Sequence, residues 1–224
     1  MLTQESSLAD FQQLNSTIYL QANDRNYSTP DLFYFLHRHI TCILKATRKN
    51  MHGELAYHLC MSLSWSFGLA NRYHIDLAKK LWELFPGCCP YCSAAPCRCK
   101  EFPNHRQKLP RKASETQPVA MKDWQHMFAK VYPATIQNSA MHLAEEAGEV
   151  AEAIRCHTAM HHEQWFLKIV EELCDLITHI FAVATCLKLD LASSMVDYFS
   201  QGCPKCREMS CGCGYLMFDQ PVIR

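Results

Sequence analysis

The sequence predicts an all-α protein that consists of two copies of one helical unit. Three observations support this fold class. Long stretches rich in Ala, Leu and Glu have apolar residues at helical spacing. Two cysteine clusters share one pattern. When the sequence is aligned with itself at an offset of 114 residues, similar segments and the two cysteine clusters match without a gap. Each copy is therefore expected to contain four helices followed by a cysteine loop.

The helix boundaries of the first unit are predicted where the helical spacing of apolar residues is interrupted. Helices are expected at residues 8–20, from Pro30 to about residue 49, at 54–73 and at 76–85, with a polar turn at 23–29. Pro30 suits a first helical position, because proline lacks the N–H that would remain unpaired there. The first unit is assigned to residues 1–102.

Residues 103–118 form the expected linker, since the chain has three prolines between residues 102 and 118, polar and basic neighbours and no periodicity. Its basic residues could contact a nucleotide or nucleic acid, but a solvated tether is favoured. The second unit, residues 119–224, is expected to have helices at 121–131, 139–157, 164–187 and 191–199. Pro133 separates the first two.

The composition, 49% hydrophobic and 20% charged, is typical of a globular protein. A formal net charge of +0 argues against a general nucleic-acid or membrane-surface binder. The N-terminus lacks the pattern of a signal peptide, and the longest apolar stretch, residues 173–187, is too short to span a bilayer. We therefore expect a soluble, cytoplasmic protein without a membrane partner.

Eight of the fourteen cysteines form two clusters of the pattern Cys-Pro-x-Cys-x4-Cys-x-Cys. The clusters are Cys89, Cys92, Cys97 and Cys99, and Cys203, Cys206, Cys211 and Cys213. Four thiolates at this spacing suit a tetrahedral structural zinc ion. Disulfides are the alternative, and the absence of a secretory signal disfavours them. Two structural zinc ions are expected, in loops 88–99 and 203–213, and Cys88 is close enough to exchange as a ligand.

Acidic pairs occur in the second and third helices of the second unit. Glu146 and Glu149 are three residues apart, as are Glu172 and Asp175, so each pair lies on one helix face. The apolar neighbours of Glu172 place its pair near a packed interface, where clustered carboxylates are costly without a cation. Mg²⁺, and next Mn²⁺, suits such oxygen ligands. The alternative is that these are solvated faces of amphipathic helices.

Glu145-Glu146-x-x-Glu149 followed by Glu172-x-x-Asp175 resembles the EExxE and ExxD signature of the MazG-like all-α nucleoside triphosphate pyrophosphohydrolases. The resemblance implies hydrolysis of a nucleoside triphosphate to the monophosphate and pyrophosphate. It implies that four carboxylates, Glu146, Glu149, Glu172 and Asp175, bind Mg²⁺. Glu145 is assigned to a further metal site or to activation of the attacking water.

Three further residues are candidates for substrate binding. Lys168 precedes Glu172 by one turn and could meet phosphate oxygens, although an ion pair with Glu172 is the equally good alternative. The resemblance implies that the helix containing Trp124 and Phe128 shapes the base pocket, and the alternative for both residues is a place in the core.

The first unit lacks the acidic signature. The 114-residue shift matches Glu145, Glu146 and Glu149 to Asp31, Leu32 and Phe35, and it matches Glu172 and Asp175 to His58 and Met61. The first unit is therefore expected to be a degenerate copy. The resemblance implies a dimeric arrangement of helices, so the two copies are expected to form an intramolecular pseudo-dimer, with the chain either monomeric or a homodimer.

Two other functions share these features. A nucleotide sensor would use the same carboxylates without positioning a water molecule for hydrolysis. An adaptor for a protein or nucleic acid would use the cysteine loops and linker, and its acidic helices would be structural.

Overall fold

A computed structural model describes residues 2–101 and 116–213, which contain helices and, within those ranges, no β-strand. The predicted linker lies mostly outside the described residues. The helices are α1 (Leu8–Asn26), α2 (Thr29–Lys49), α3 (Leu55–Arg72), α4 (Leu77–Leu84), α5 (Met121–Val131), α6 (Ile136–Met160), α7 (Glu163–Cys186) and α8 (Leu191–Phe199). The all-α prediction is confirmed.

Polar side chains fix where several helices begin. Ser7 and Ser28 form capping boxes with Asp10 and Asp31, in which each side chain bonds the backbone N–H of the other residue. Thr135 caps α6 through the N–H of Asn138, so α6 begins three residues before its predicted start.

Helix α1 continues through the segment that was predicted to be a polar turn. Asn23 is buried, and its carbonyl oxygen accepts a hydrogen bond of 3.0 Å from Nη2 of Arg72 in α3. Arg72 also donates to Asp24. The polar residues that indicated a turn are thus satisfied by α3 while they remain helical, which is a tertiary contact that local composition does not reveal.

The two halves make reciprocal contacts with each other. An isolated antiparallel bridge pairs Ser7 with Ala120. The backbone N–H of Cys97 donates to Val131 at 2.7 Å, and the N–H of Cys211 donates to Ile18 at 2.7 Å. Each cysteine loop therefore packs on the first helix of the other half, and the fold is a pseudo-dimer within one chain.

The same side-chain contacts recur inside the two halves. Gln12 donates to the carbonyl oxygen of Ile75 at 2.7 Å and accepts from the N–H of Leu77 at 3.2 Å. Gln125 donates to Leu189 at 2.7 Å and accepts from Leu191 at 3.2 Å. Each glutamine thus ties the first helix of its half to the turn before the fourth.

The 114-residue shift fails in the second helix of each half. Helices α3 and α7 end at Arg72 and Cys186, which are 114 residues apart (186 minus 72). Helices α2 and α6 begin 107 residues apart (136 minus 29) and end 111 apart (160 minus 49). The match of Asp31, Leu32 and Phe35 to the first acidic triplet therefore does not follow the helix positions, mainly because the helices differ in length: α1 has 19 residues and α5 has 11.

One hydrophobic core runs through both halves. Helices α6 and α7 form the most extensive pair, α2 packs against α6, and α3 packs against α7. No single helix in the described ranges has the length and hydropathy of a membrane span. Helices α7 and α8 meet these two criteria only when they are taken together, and they are bent by 101° relative to each other. The core therefore places the facing surfaces of α6 and α7 beside elements of the first half.

Candidate functional site

Three carboxylates converge between α6 and α7. Oxygen atoms of Glu146, Glu149 and Glu172 all lie within 4.8 Å of one another. Glu172 is only 2% exposed, whereas Glu149 faces solvent. Asp175, one turn beyond Glu172, lines the same cavity. The structure therefore brings together the four carboxylates that the sequence pairs predicted.

Crowding and burial change how these carboxylates hold protons. Burial, followed by the charges of Asp175, Glu149 and Glu172, raises the pKa of Glu146 to about 8. Burial also raises the pKa of Glu172, while Lys168 acts in the opposite direction. A divalent cation would offset this repulsion, and oxygen donors in such a cluster are the ligands that Mg²⁺ and Mn²⁺ prefer. The residues present thus fit a divalent ion.

Lys168 forms an ion pair with Glu172 and lies 4.0 Å from Glu171. Burial opposes its charge, but the Glu172 carboxylate outweighs this effect and raises the pKa of Lys168. The intrahelical pair that was the alternative for this residue is present. Lys168 also lines the cavity, where it is the cation nearest the carboxylate cluster.

Glu145 points away from the cluster. Its Oε2 lies 2.7 Å from Nδ1 of His142, one turn earlier on α6, and its side chain is 59% exposed. Glu145 is not among the residues that line the cavity. Four of the five carboxylates in the acidic signature therefore share one site, and the fifth lies on the outer face of α6.

The acidic cavity, as we name it, has a volume of about 320 Å³ and is lined by both halves of the chain. From the first half come the end of α4 and the first cysteine loop, including Leu84, Phe85 and Tyr91. Tyr132 of the second half meets Phe85 edge-on, with ring centroids 6.2 Å apart. Sequence reasoning did not identify these residues, because their position depends on how the cysteine loop packs across the two halves.

Trp124 and Phe128 are in the core. They are 0% and 1% exposed, and neither lines the acidic cavity. Trp124 packs edge-on against Trp82, and Phe128 stacks on Phe181 at a centroid distance of 5.9 Å. The aromatic surface of the cavity comes instead from Phe85, Tyr132 and Tyr91.

His179 is a further cavity residue that the sequence did not single out. Its Nε2 is 3.8 Å from Oε1 of Glu146, and its ring stacks on His142 at 5.3 Å. Burial, then the charge of His142, lowers the pKa of His179 to about 4. A neutral imidazole therefore lies next to Glu146, where it can donate or accept a hydrogen bond.

Each cysteine cluster brings four sulfur atoms within 4.8 Å of one another. Measured pairs are Cys89 to Cys99 at 3.5 Å, Cys92 to Cys97 at 3.9 Å and Cys206 to Cys211 at 3.9 Å. A tetrahedral zinc site with Zn–S bonds of about 2.3 Å requires sulfur atoms about 3.8 Å apart. Both clusters thus fit zinc.

The thiols of the two clusters differ in pKa: it is lowered for Cys92 and Cys203, whereas burial raises it for Cys97, Cys99 and Cys213, and the Cys203 thiol raises it for Cys211. All fourteen cysteines lie in the described part of the chain, and none of them forms a disulfide. A hydrogen bond from the Cys211 thiol lowers the pKa of Cys203 to about 4. In the first cluster, burial opposes the thiolate of Cys92, but backbone N–H groups outweigh it and lower its pKa to about 7. Thiolates are the form that binds metal.

Comparison with known proteins finds a family match in the part of the chain that contains the carboxylate cluster. Residues 134–210 match the family described as the MazG nucleotide pyrophosphohydrolase domain, a segment that contains α6, α7, α8 and most of the second cysteine loop. No curated protein and no solved structure matches the chain. The matched segment contains all four clustered carboxylates and is all-helical, as this family is. The second half of this all-α chain therefore contains a MazG domain, at residues 134–210.

Proposed function

We propose that the protein is a Mg²⁺-dependent nucleoside triphosphate pyrophosphohydrolase, which converts a ribo- or deoxyribonucleoside triphosphate and water to the monophosphate and pyrophosphate. The observation that carries this proposal is the convergence of Glu146, Glu149 and Glu172 within the segment that matches the MazG domain. Asp175 completes the set of proposed metal ligands. Mn²⁺ is expected to substitute, because it prefers similar oxygen ligands.

Several residues in and beside the acidic cavity have a role in this chemistry. The four carboxylates would hold the divalent ion, which would neutralise charge on phosphate oxygens and polarise the attacking water. Lys168 exchanges its contact with Glu172 for the triphosphate, to which its ammonium group is attracted as a point charge. His179 orients Glu146 as a positioning residue. Glu145 acts from outside the metal site, through its contact with His142.

The aromatic lining of the cavity suits the nucleobase. Phe85 and Tyr91 of the first half and Tyr132 of the second line the cavity together with the acidic residues. Aromatic side chains stack on any base, at about 1–3 kcal/mol per base. The first half thus supplies part of the substrate pocket although it lacks the acidic signature, and the chain has one hydrolytic site.

We also propose that the chain arose by internal duplication and that each cysteine loop binds one zinc ion. The matched glutamine contacts and the reciprocal loop contacts support the duplication. The sulfur separations support zinc. Zinc would fix each loop against the other half of the chain, and the first loop forms a wall of the acidic cavity.

The variant Glu149→Gln tests the proposed reaction. Pyrophosphate release from a panel of nucleoside triphosphates in Mg²⁺ should fall by at least about 100-fold, which corresponds to about 3 kcal/mol of transition-state stabilisation. Glu152→Gln is the matched control, because Glu152 is exposed one turn further along α6 and does not line the cavity. Release in the chelator EDTA should be absent.

Other results would assign another function. If no triphosphate releases pyrophosphate but the chain binds a triphosphate in a Mg²⁺- and Glu149-dependent manner, the protein is a sensor. If neither turnover nor nucleotide binding depends on Glu149, the acidic helices are structural.

A further inference from the structure

The first half of the chain contains a cavity that corresponds to the acidic cavity. It has a volume of about 760 Å³, and we name it the aromatic cavity. His58, Met61 and Trp65 of α3 line it, and each lies 114 residues before a residue of α7 that lines the acidic cavity. Those α7 residues are Glu172, Asp175 and His179. The two cavities therefore lie at corresponding positions of α3 and α7.

The remaining walls also correspond. Tyr19 of α1 lies where Tyr132 lies in the second half, and each tyrosine packs edge-on against a phenylalanine, Phe199 or Phe85. The second cysteine loop covers the aromatic cavity as the first loop covers the acidic one. Both halves therefore build this cavity, as they do the acidic one.

The chemistry of the aromatic cavity is different. Phe35 stacks on Trp65 with ring centroids 4.9 Å apart and planes inclined by 18°. Tyr57 meets Tyr198 edge-on at 5.7 Å. His39 and His58 approach each other with their Nδ1 atoms 3.0 Å apart. Aromatic and imidazole groups thus take the place of the metal-binding carboxylates.

Fixed positive charge exceeds fixed negative charge in this cavity. The cations are Arg38, Lys205 and Arg207, and the acids are Glu54 and Asp197. Burial, with the charges of His58 and Arg38, lowers the pKa of His39 to about 3, and burial lowers the pKa of His58. The histidines are therefore neutral hydrogen-bonding groups, and Arg38, Lys205 and Arg207 give the cavity its excess of positive charge.

We propose that the aromatic cavity is a second ligand site, which binds a nucleoside monophosphate without a divalent ion. The volume lies within the 300–1,000 Å³ range of small-molecule sites. The aromatic rings provide a surface for a base, the paired imidazoles can read its polar edge, and Arg38 and Lys205 attract the phosphate. This site is distinct from the acidic cavity and does not depend on the hydrolysis proposed there.

Equilibrium binding without added Mg²⁺ or Mn²⁺ tests this proposal on the full, zinc-loaded chain. The probes are AMP, CMP, GMP and UMP, with the parent nucleosides and inorganic phosphate as comparisons, measured by titration calorimetry. At least one monophosphate should bind saturably with one site per chain, and its nucleoside and inorganic phosphate should bind at least about tenfold more weakly. Monophosphates are products of the proposed hydrolysis, so turnover does not contribute, and leaving out a chelator keeps zinc in the second cysteine loop, which lines the aromatic cavity.

Matched variants assign the binding to the aromatic cavity. Arg38→Ala and Lys205→Ala should each raise the Kd for that monophosphate by about tenfold. Arg48→Ala, an exposed residue of the same helix as Arg38, should leave it unchanged, as should Glu149→Gln in the acidic cavity. Lys205 lies on a loop surface, so its variant is expected to keep the fold, which thermal melting checks.

The proposal is overturned if no monophosphate binds in the absence of added Mg²⁺ and Mn²⁺. It is also overturned if binding survives both Arg38→Ala and Lys205→Ala, or if Glu149→Gln removes it. Each of these results is independent of whether the chain hydrolyses triphosphates.

Discussion

Glu146 shows the cost of gathering carboxylates between two helices. Its pKa in the folded chain, about 8, is above the ordinary value of 4.5. The folded state therefore binds a proton more tightly than the unfolded state does. The resulting stabilisation is complete below about pH 4.5 and is lost as the pH rises through about 8.

The free energy of unfolding of the metal-free chain should therefore decrease between about pH 5 and pH 8.5. A decrease on the order of 1–2 kcal/mol is expected after solvent screening is allowed for. Glu146→Gln should flatten this dependence, because its amide remains neutral. Urea denaturation in EDTA at several pH values measures how the free energy of unfolding depends on pH. Glu152→Gln is the control, and it should show the same pH dependence as the unmodified chain. An unchanged slope in Glu146→Gln would disprove this account of Glu146.

Glu145 and Glu146 are adjacent in sequence but differ in position, and their variants should differ accordingly. Glu145→Gln should reduce pyrophosphate release by no more than about threefold, because Glu145 contacts His142 and not the carboxylate cluster. Glu146→Gln should reduce it by at least about 100-fold, or about 3 kcal/mol. Steady-state kinetics at saturating Mg²⁺ compares the two. Equal losses would mean that Glu145 is part of the metal site.

The sequence allowed the four inward carboxylates to be predicted, because a three-residue spacing fixes a common helix face. It did not reveal where the Glu145 side chain points, since helical spacing does not determine which neighbour is contacted by a residue at the edge of the inward face. His142 supplies that contact. Tyr91 and Phe85 were missed for a larger reason, because they belong to the other half of the chain.

At the scale of elements, the cysteine loops connect folding to the sites. The first loop carries part of the acidic cavity and is held to α5 by the hydrogen bond from Cys97 to Val131. The second loop is held to α1 and carries part of the aromatic cavity. Each loop therefore shapes a site in the opposite half.

Cys97→Ser and Cys211→Ser should consequently have different effects. Each should reduce the zinc content from two ions to one per chain, because structural zinc needs its four ligands. Cys97→Ser should lower kcat/KM for triphosphates by at least about tenfold, whereas Cys211→Ser should lower it much less. Metal analysis and kinetics well below the melting temperature measure both. A larger kinetic loss in Cys211→Ser than in Cys97→Ser would contradict the assignment of the loops.

Helix boundaries were predictable where local chemistry specifies them. Asp76 and Asp190 cap α4 and α8 through the N–H groups of Lys79 and Ser193, and both helices lie within a residue of the expected positions. The end of α1 was not predictable, because Arg72 of α3 satisfies its polar residues. The register of α2 against α6 was not predictable, since α1 is longer than α5 while α6 and α7 are longer than α2 and α3, and these differences nearly cancel by the end of α7.

At the scale of the whole molecule, the two halves share one core and both cavities are lined from both sides. Residues 119–224 alone should therefore show no pyrophosphate release. Mixing them with residues 1–102 should restore release, because the first half supplies the first cysteine loop and the end of α4. Kinetics on the separate and recombined halves checks this, and full activity of residues 119–224 alone would contradict the pseudo-dimer account of the site.

The most direct test of the central claim is a crystal structure of the chain with Mn²⁺, with the ion located by its anomalous scattering. We expect an anomalous peak between α6 and α7, within bonding distance of Glu146, Glu149, Glu172 and Asp175, and no ion on Glu145. The account is contradicted if saturating Mn²⁺ gives no peak among these four carboxylates.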